Sequence, residues 1–300
     1  MSTSWKLSAF APKPDVQAAL LAHDELEDWD FDLVISGREV DEDRPLEWVL
    51  EAWYPKKPGA AQKKAIAALF GGKAPTIEVE KLPDEDWLTL SQQGTPPISA
   101  GPFYVHTPDY EPRDGAINFA IPASQAFGTG QHETTAGCLE MLGAIKAPGA
   151  QFRRIADIGT GTGLLGFAGL ALWPNAECTA SDIDPVCAGV VADNAVMNGA
   201  QLGPQRGAMT MVIADGMDDP LLQARGPYDL LIANILAGPL VELAPDFANS
   251  VQPGGSIVLA GLLAGEQEQA VRRAYRRARC RPVARLQRGD WAILWFRRRR

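Results

Sequence analysis

Seven residues, Asp157-Ile158-Gly159-Thr160-Gly161-Thr162-Gly163, constrain the fold of this chain more than any other stretch. They join a strand-like stretch at 152–157 to an apolar run at 164–173. Glycine at every second position lets the backbone turn sharply and lets a ligand approach the main chain without meeting a Cβ. A helix opening at Leu164 then directs its free N–H groups, and the positive end of its dipole, at that ligand. The alternation continues downstream, with strands at 177–182, 211–214, 229–233 and 256–260 and a helix at 185–198. Stretches 283–286 and 291–296, around Arg288-Gly289-Asp290, read as an antiparallel hairpin. The expected fold is α/β, a Rossmann-like, doubly wound domain whose parallel sheet ends in that hairpin.

The loop alone admits two ligands. Gly161-Thr162-Gly163-Leu164-Leu165-Gly166 satisfies the dinucleotide fingerprint G-x-G-x-x-G, with Asp182 one strand later. Read one step earlier, Asp-x-Gly-x-Gly-x-Gly is the loop of S-adenosylmethionine-dependent methyltransferases. Asp182 closes the second strand, placed to accept hydrogen bonds from ribose hydroxyls, which both cofactors carry. Asp184, with Pro185 behind it, reads as a helix N-cap. Asp215, just past the third strand, suits either an adenine amino group or a plain turn. The fourth strand separates the two readings, because it ends on Asn234-Ile235-Leu236-Ala237, where a parallel sheet binds its ligands. An asparagine there offers its side-chain carbonyl to an amine. Amino-methyltransferases use an Asn-Pro-Pro-aromatic segment in this way, here without the prolines and the ring.

Hydrophobic residues make up 46% and charged residues 22% of the 300, which excludes a disordered or collagenous chain and suits about two domains. Before residue 82 the order is βαββαβ. Strands fall at 5–10, 31–35, 46–53 and 76–79, with helices from Pro14-Asp15 and over 60–70, the latter stopped by Gly71-Gly72. That is the order of a small ferredoxin-like domain, and without catalytic residues it is expected to recognise substrate. Residues 83–112, rich in proline, glycine and acids, read as a linker that packs through Trp87, Phe103 and Tyr104. The second domain then spans 113–300.

No run approaches the ~18 apolar residues of a membrane span, and the start of the chain lacks the apolar core of a secretory signal. A cytoplasmic protein without membrane contact is expected. Cys138, Cys178, Cys187 and Cys280, like His23, His106 and His132, are scattered, so no metal site is expected. The net charge of −9 is uneven. From Gly265 onward twelve arginines face three acids, giving that segment +9 and leaving −18 on the remainder. This end reads as a solvated face and tail, with nucleic-acid contact at most incidental.

Several segments together resemble one family, the methyltransferases of large-subunit ribosomal protein eleven. They are Ala126-Phe127-Gly128-Thr129-Gly130-Gln131-His132-Glu133-Thr134-Thr135, the glycine loop, Asp182-Ile183-Asp184-Pro185, and Asn234-Ile235-Leu236-Ala237-Gly238-Pro239-Leu240, with Gly254-Gly255 adding a further similar stretch. The resemblance covers roughly residues 126–275. It implies S-adenosylmethionine as cofactor, contacted by Thr135, Gly159, Asp182 and Asn234. Phe127 and Gly128 would cover its methionine part, with Asp157, Gly161, Gly163 and Asp215 around it. It implies that the first domain recognises the ribosomal protein and that lysine ε-amines and an N-terminal α-amine are methylated. Asn234 is then also the amine-positioning residue, and His132 orders the loop. Gln131-His132-Glu133 departs from the family's Thr-His-Pro, adding a carboxylate near the mouth of the site, and 121–125 departs from its Asp-Pro-Gly-Met. Three other readings stay open: a lysine methyltransferase of another protein, such as an electron-transfer flavoprotein subunit; a nucleic-acid amino-methyltransferase; and a nicotinamide oxidoreductase built on the same glycines.

Overall fold

The computed structural model describes residues 5–24, 34–40, 46–54, 56–72, 75–81, 96–122 and 131–300, the side chains of Asp24, Val34, Gln131 and His132 excepted. The chain divides into two compact units, Met1–Leu90 and Ser91–Arg300.

The first unit runs β1 (Trp5–Pro12), α1 (Lys13–Asp24), β2 (Val34–Glu39), β3 (Glu47–Tyr54), α2 (Ala60–Ala68) and β4 (Thr76–Lys81). Its sheet has the order β2-β3-β1-β4, antiparallel throughout. Alternate residues Leu7 and Ala9 of β1, and Leu50 and Ala52 of β3, meet Val16 and Ala19 of α1 and Ile66 of α2 in one core. Strand β2 lies later than the expected 31–35, of which 31–33 fall outside the described residues. Gly37 suggests a turn, yet it sits in the strand because α1 lies against it: a Cβ there would be 2.8 Å from Leu20 Cδ1.

The second unit begins with β5 (Ile98–Ala100), β6 (Phe103–His106) and β7 (Ile117–Ala120), a small sheet in the order β5-β6-β7. Two of these strands fall within 83–112, the stretch whose composition reads as a linker. Gly101, at φ +56°, and Pro102 form the tight turn of a hairpin there, and Phe103 and Val105 enter the main core. Then follow α3 (Gln131–Lys146), β8 (Arg154–Ile158), α4 (Leu164–Leu172), β9 (Glu177–Asp182), α5 (Val186–Met197), β10 (Gln201–Leu202), β11 (Ala208–Ile213), α6 (Pro220–Arg225) and β12 (Tyr228–Asn234). The chain ends with α7 (Ala237–Glu242), α8 (Ala244–Ser250), β13 (Val251–Leu263), α9 (Glu266–Arg277), β14 (Cys280–Arg288) and β15 (Trp291–Arg298).

The large sheet has the order β10-β11-β9-β8-β12-β13-β15-β14. It is parallel from β10 to β13, and β15 pairs antiparallel with both β13 and β14. Strand β13 begins five residues before the expected 256, because Pro253-Gly254-Gly255 is absorbed in a register shift rather than ending the strand. Alternation along β12 divides the core: Leu230 and Ile232 face α3, α4, α5 and the small sheet, whereas Leu231 and Ala233 face the side of α6 to α9. Helix α4, Leu-Leu-Gly-Phe-Ala-Gly-Leu-Ala-Leu, is apolar on every side and is buried along almost its whole length. The carboxyl ends of β8, β9 and β12 therefore open at one edge, beside the start of α3 and the β14–β15 turn.

Candidate functional site

The glycine loop leaves β8 and enters α4 through three left-handed residues, Gly159 (φ +69°), Gly161 (φ +54°) and Gly163 (φ +82°). At Gly163 a Cβ would lie 2.8 Å from the Phe167 ring, so only glycine admits this turn. The amides of Gly159 and Thr160 both donate to the Ser181 carbonyl of β9, at 2.8 and 2.9 Å. Asp182, ending β9, accepts from Gly161 N–H at 2.8 Å through one oxygen and from Asp184 N–H at 3.1 Å through the other. Asp184 in turn accepts from Val186 N–H at 2.9 Å in a turn that leads into α5, whose N-cap position is Pro185 and not the expected Asp184.

Asp157 is turned inward, with 1% of its surface exposed. Its Oδ2 accepts from Thr160 Oγ1 at 2.6 Å and from Gly166 N–H at 2.8 Å. It thus stands where an N-cap side chain would, bracing the third residue of α4 from the neighbouring strand, while Gly163 itself supplies no cap. Burial pushes its carboxyl up to about 6, and the two donated hydrogen bonds only partly offset that cost.

Asn234, ending β12, donates from Nδ2 to Thr135 Oγ1 of α3 at 3.4 Å. This contact joins two of the residues singled out by sequence, 99 positions apart. The next residue, Ile235, is enclosed by two glycines. A Cβ on Gly159 would lie 2.2 Å from Ile235 Cγ2, and a Cβ on Gly261 of β13 would lie 2.2 Å from the Ile235 carbonyl oxygen. Asp215 is exposed and follows Ala214, whose N–H donates to the Asp182 carbonyl at 2.9 Å; it lines a groove of about 910 Å³ with Met217, Leu222 and Leu243 between α6 and α8. Phe127 and Gly128, and the side chain of His132, lie outside the described residues. The Glu133 carboxylate rests against the β14–β15 turn, where a Cβ on Gly289 would be 2.5 Å from Oε2.

Two residues emerge that the sequence reading passes over. Buried Asn194 donates to the Thr162 carbonyl of the glycine loop at 2.9 Å. Asn198, four residues on, donates to the carbonyls of Ala120 and Asn194 at 2.8 Å and accepts from Ala120 N–H at 2.7 Å. Together they tie the end of β7 to the loop. Their four-residue spacing on α5, with Asn198-Gly199 at its end, is the signal that could have found them.

A glycine loop after β8, an acid ending β9, an asparagine ending β12 and a sheet closed by β15 and β14 define a Rossmann-like methyltransferase. A family profile described as "Ribosomal protein L11 methyltransferase (PrmA)" matches residues 23–299. Proteins named ribosomal protein L11 methyltransferase from Agrobacterium fabrum and Rhizobium etli are 36% and 37% identical to this chain, covering 89% and 88% of it and 90% and 89% of their own lengths. A crystal structure of a ribosomal protein L11 methylase from Lactobacillus delbrueckii subsp. bulgaricus is similar with a TM-score of 0.57 and 25% identity, over 68% of this chain and 99% of that one. The chain belongs to the ribosomal protein L11 methyltransferase family.

Proposed function

We propose that this chain transfers methyl groups from S-adenosylmethionine to lysine ε-amines and the N-terminal α-amine of ribosomal protein L11, in the cytoplasm. The observation that carries the reading is the junction of Asn234 with Thr135 at the carboxyl end of the sheet, beside a glycine loop bonded to Asp182. Residues 113–300, with β5 and β6 packed into the same core, would perform the transfer, and 1–82 would recognise the protein substrate. The βαββαβ order and the β2-β3-β1-β4 sheet support a ferredoxin-like assignment for the first part, and β14 with β15 supports the hairpin-closed class for the second. Among the described residues, no helix is long and apolar enough to cross a membrane.

The residues present fit this cofactor. Asp182 is a carboxylate for ribose hydroxyls, and the left-handed glycines form a turn of bare main chain beside it, packed on its inner side against Ile235 and Phe167. Gly159, Gly161, Gly163, Thr135 and Asn234 would line the same cofactor, and Asp215 would receive the adenine amine. Asp157 would act by bracing the loop. When bound, S-adenosylmethionine supplies a methyl group on a cationic sulfonium with a neutral leaving group, so positioning is the chain's main task. Because Asn234 spends its amide N–H on Thr135, its carbonyl oxygen is left to accept from the incoming amine and aim the lone pair. That amine must be unprotonated, which for a lysine of pKa ~10.4 costs about 4–5 kcal/mol at pH 7. Apolar neighbours such as Ile235 and the nearby positive charge both favour the neutral form.

The test is single-turnover methylation of purified ribosomal protein L11 at saturating cofactor. Asn234→Ala should slow the step by roughly 100-fold, while Asp182→Ala should weaken cofactor binding by about 10- to 100-fold in calorimetry. A rate for Asn234→Ala within about threefold of wild type would reject the positioning role. Absence of label on the ribosomal protein would reject the substrate.

A further inference from the structure

The twelve arginines after Gly265 divide sharply once their partners are known. Arg272 and Arg285 hold buried Glu268, with Arg285 bidentate at 2.8 Å to each oxygen. Arg288 pairs with Glu140, and Arg298 donates to the carbonyls of Asn249 and Val251. Arg273, Arg276, Arg277, Arg279, Arg281, Arg299 and Arg300 are exposed and have no carboxylate partner among the described residues.

Most of these lie around the start of β14, at a corner of the sheet and on both of its faces: α9 packs on the face of Phe296, whereas Arg281 and Arg297 share the face of Trp295. Helix α9 ends at Arg276 and Arg277, Arg279 turns the chain, and Arg281 opens β14 directly opposite Arg297 of β15. Like charges facing each other across two strands repel. Arg297 lies over the Trp295 ring at 5.2 Å with its Nε buried and unpartnered. The tail returns to the same place, Arg299 N–H donating to the Arg279 carbonyl at 2.9 Å. Arg279 is also the one described non-glycine residue with positive φ, at +60°, in the position after a helix where glycine is at ease. An arginine is kept there against the preference of its backbone.

We propose that this corner is a docking surface for helical RNA, contacted through its phosphates. The remainder carries a net charge of −18 and as a whole disfavours polyanions, so the arginine-rich end is the favoured place for them. The segment contains arginine and no lysine, and the planar guanidinium fork is the group that grips phosphate bidentately. An anionic membrane would be served as well by lysine. The rings at hand, Tyr275 and Phe296, are buried, and Trp295 is covered by Arg297, so nothing offers the stacking platform that single strands use. The corner lies at the amino end of the parallel sheet, since Arg297 pairs with Ser256 whereas the site end of the strands is marked by Asn234 beside Ala260. That separation is four residues of β13, about 13 Å along the strand.

The test uses the full chain and fluorescence anisotropy of a short labelled RNA duplex of arbitrary sequence. With roughly four phosphate contacts, affinity should fall about 100-fold between ~50 and ~200 mM salt. Arg276→Gln/Arg277→Gln/Arg281→Gln should lower the slope against log salt by about 3, with methyl transfer to free ribosomal protein unchanged. Arg279→Gly should lower the slope by about 1 and yet preserve or raise the unfolding midpoint, which a purely structural arginine would not do. Three results would each overturn the proposal: no binding at the lower salt, a triple variant that binds like wild type, or phosphatidylglycerol vesicles or poly-glutamate captured as tightly as the duplex.

Discussion

Gly159 and Gly261 press on Ile235 from two directions, and the two contacts differ in kind. A Cβ added at Gly159 meets the Cγ2 methyl of Ile235, whereas one added at Gly261 meets its backbone oxygen and carbon, at 2.2 and 2.7 Å. Each substitution by alanine carries about 1–2 kcal/mol for a left-handed backbone and about 1–3 kcal/mol for overpacking. Only the first overpacking component can be relieved by trimming a side chain. Ile235→Ala alone should cost about 1–2 kcal/mol, below the usual range for a buried isoleucine because Ile235 is half-buried. The double variant Gly159→Ala/Ile235→Ala should then be more stable than the sum of its parts by about 1–3 kcal/mol. Gly261→Ala/Ile235→Ala should be additive within ~0.5 kcal/mol. Urea unfolding midpoints of the five variants measure both cycles. Additivity at Gly159, or equal coupling at both glycines, would refute the account of how this side chain is held.

Three more expectations follow from buried and half-buried polar groups. The folded pKa of Asp157, about 6, lies above its unfolded value, so its ionisation opposes folding as pH rises from about 4 to about 6. Asp157→Asn should therefore gain on wild type by up to about 3 kcal/mol across that window, and parallel pH profiles would remove the argument. Glu268 is shifted the other way, held below the ordinary carboxylate range chiefly by the Arg285 hydrogen bonds against the cost of burial. Its contribution is present above about pH 4.3 and lost as pH falls through its folded value. Glu268→Gln should cost about 1–2 kcal/mol at pH 7, a modest figure because the Arg285 side chain is 38% exposed, and a thermal midpoint unchanged at pH 7 would contradict it. Asn198→Ala breaks three hydrogen bonds to main chain and should cost about 2 kcal/mol. It should also weaken cofactor binding measured by calorimetry, which a change confined to folding would leave intact.

What the sequence discloses here is what local chemistry dictates. Glycines at alternate positions between a strand and an apolar helix have few uses, and Asp182 and Asn234 declare themselves by closing strands. Asn194 and Asn198 do not, because asparagine near a helix end is ordinary; only the return of β7 gives Asn198 something to hold. Gly101-Pro102 is ambiguous for a similar reason, since the same pair punctuates a linker or a tight turn, and only burial of Phe103 decides. Asp157 reads as one more acid of the motif, yet its environment turns it into a brace. The arginines look alike in sequence, and Glu268, Glu140 and the carbonyls of Asn249 and Val251 determine which of them are occupied.

The loop between β8 and α4 is held from four sides, by Asp157, Ser181, Asp182 and Asn194. Its conformational entropy is thus surrendered during folding, at about 1–2 kcal/mol per residue, rather than at the moment a cofactor arrives. A ligand meets a preorganised surface, and its intrinsic affinity is not diluted by ordering the main chain it touches. Binding should then show a heat-capacity change set by the ligand's own buried apolar surface, without the larger component that accompanies coupled folding.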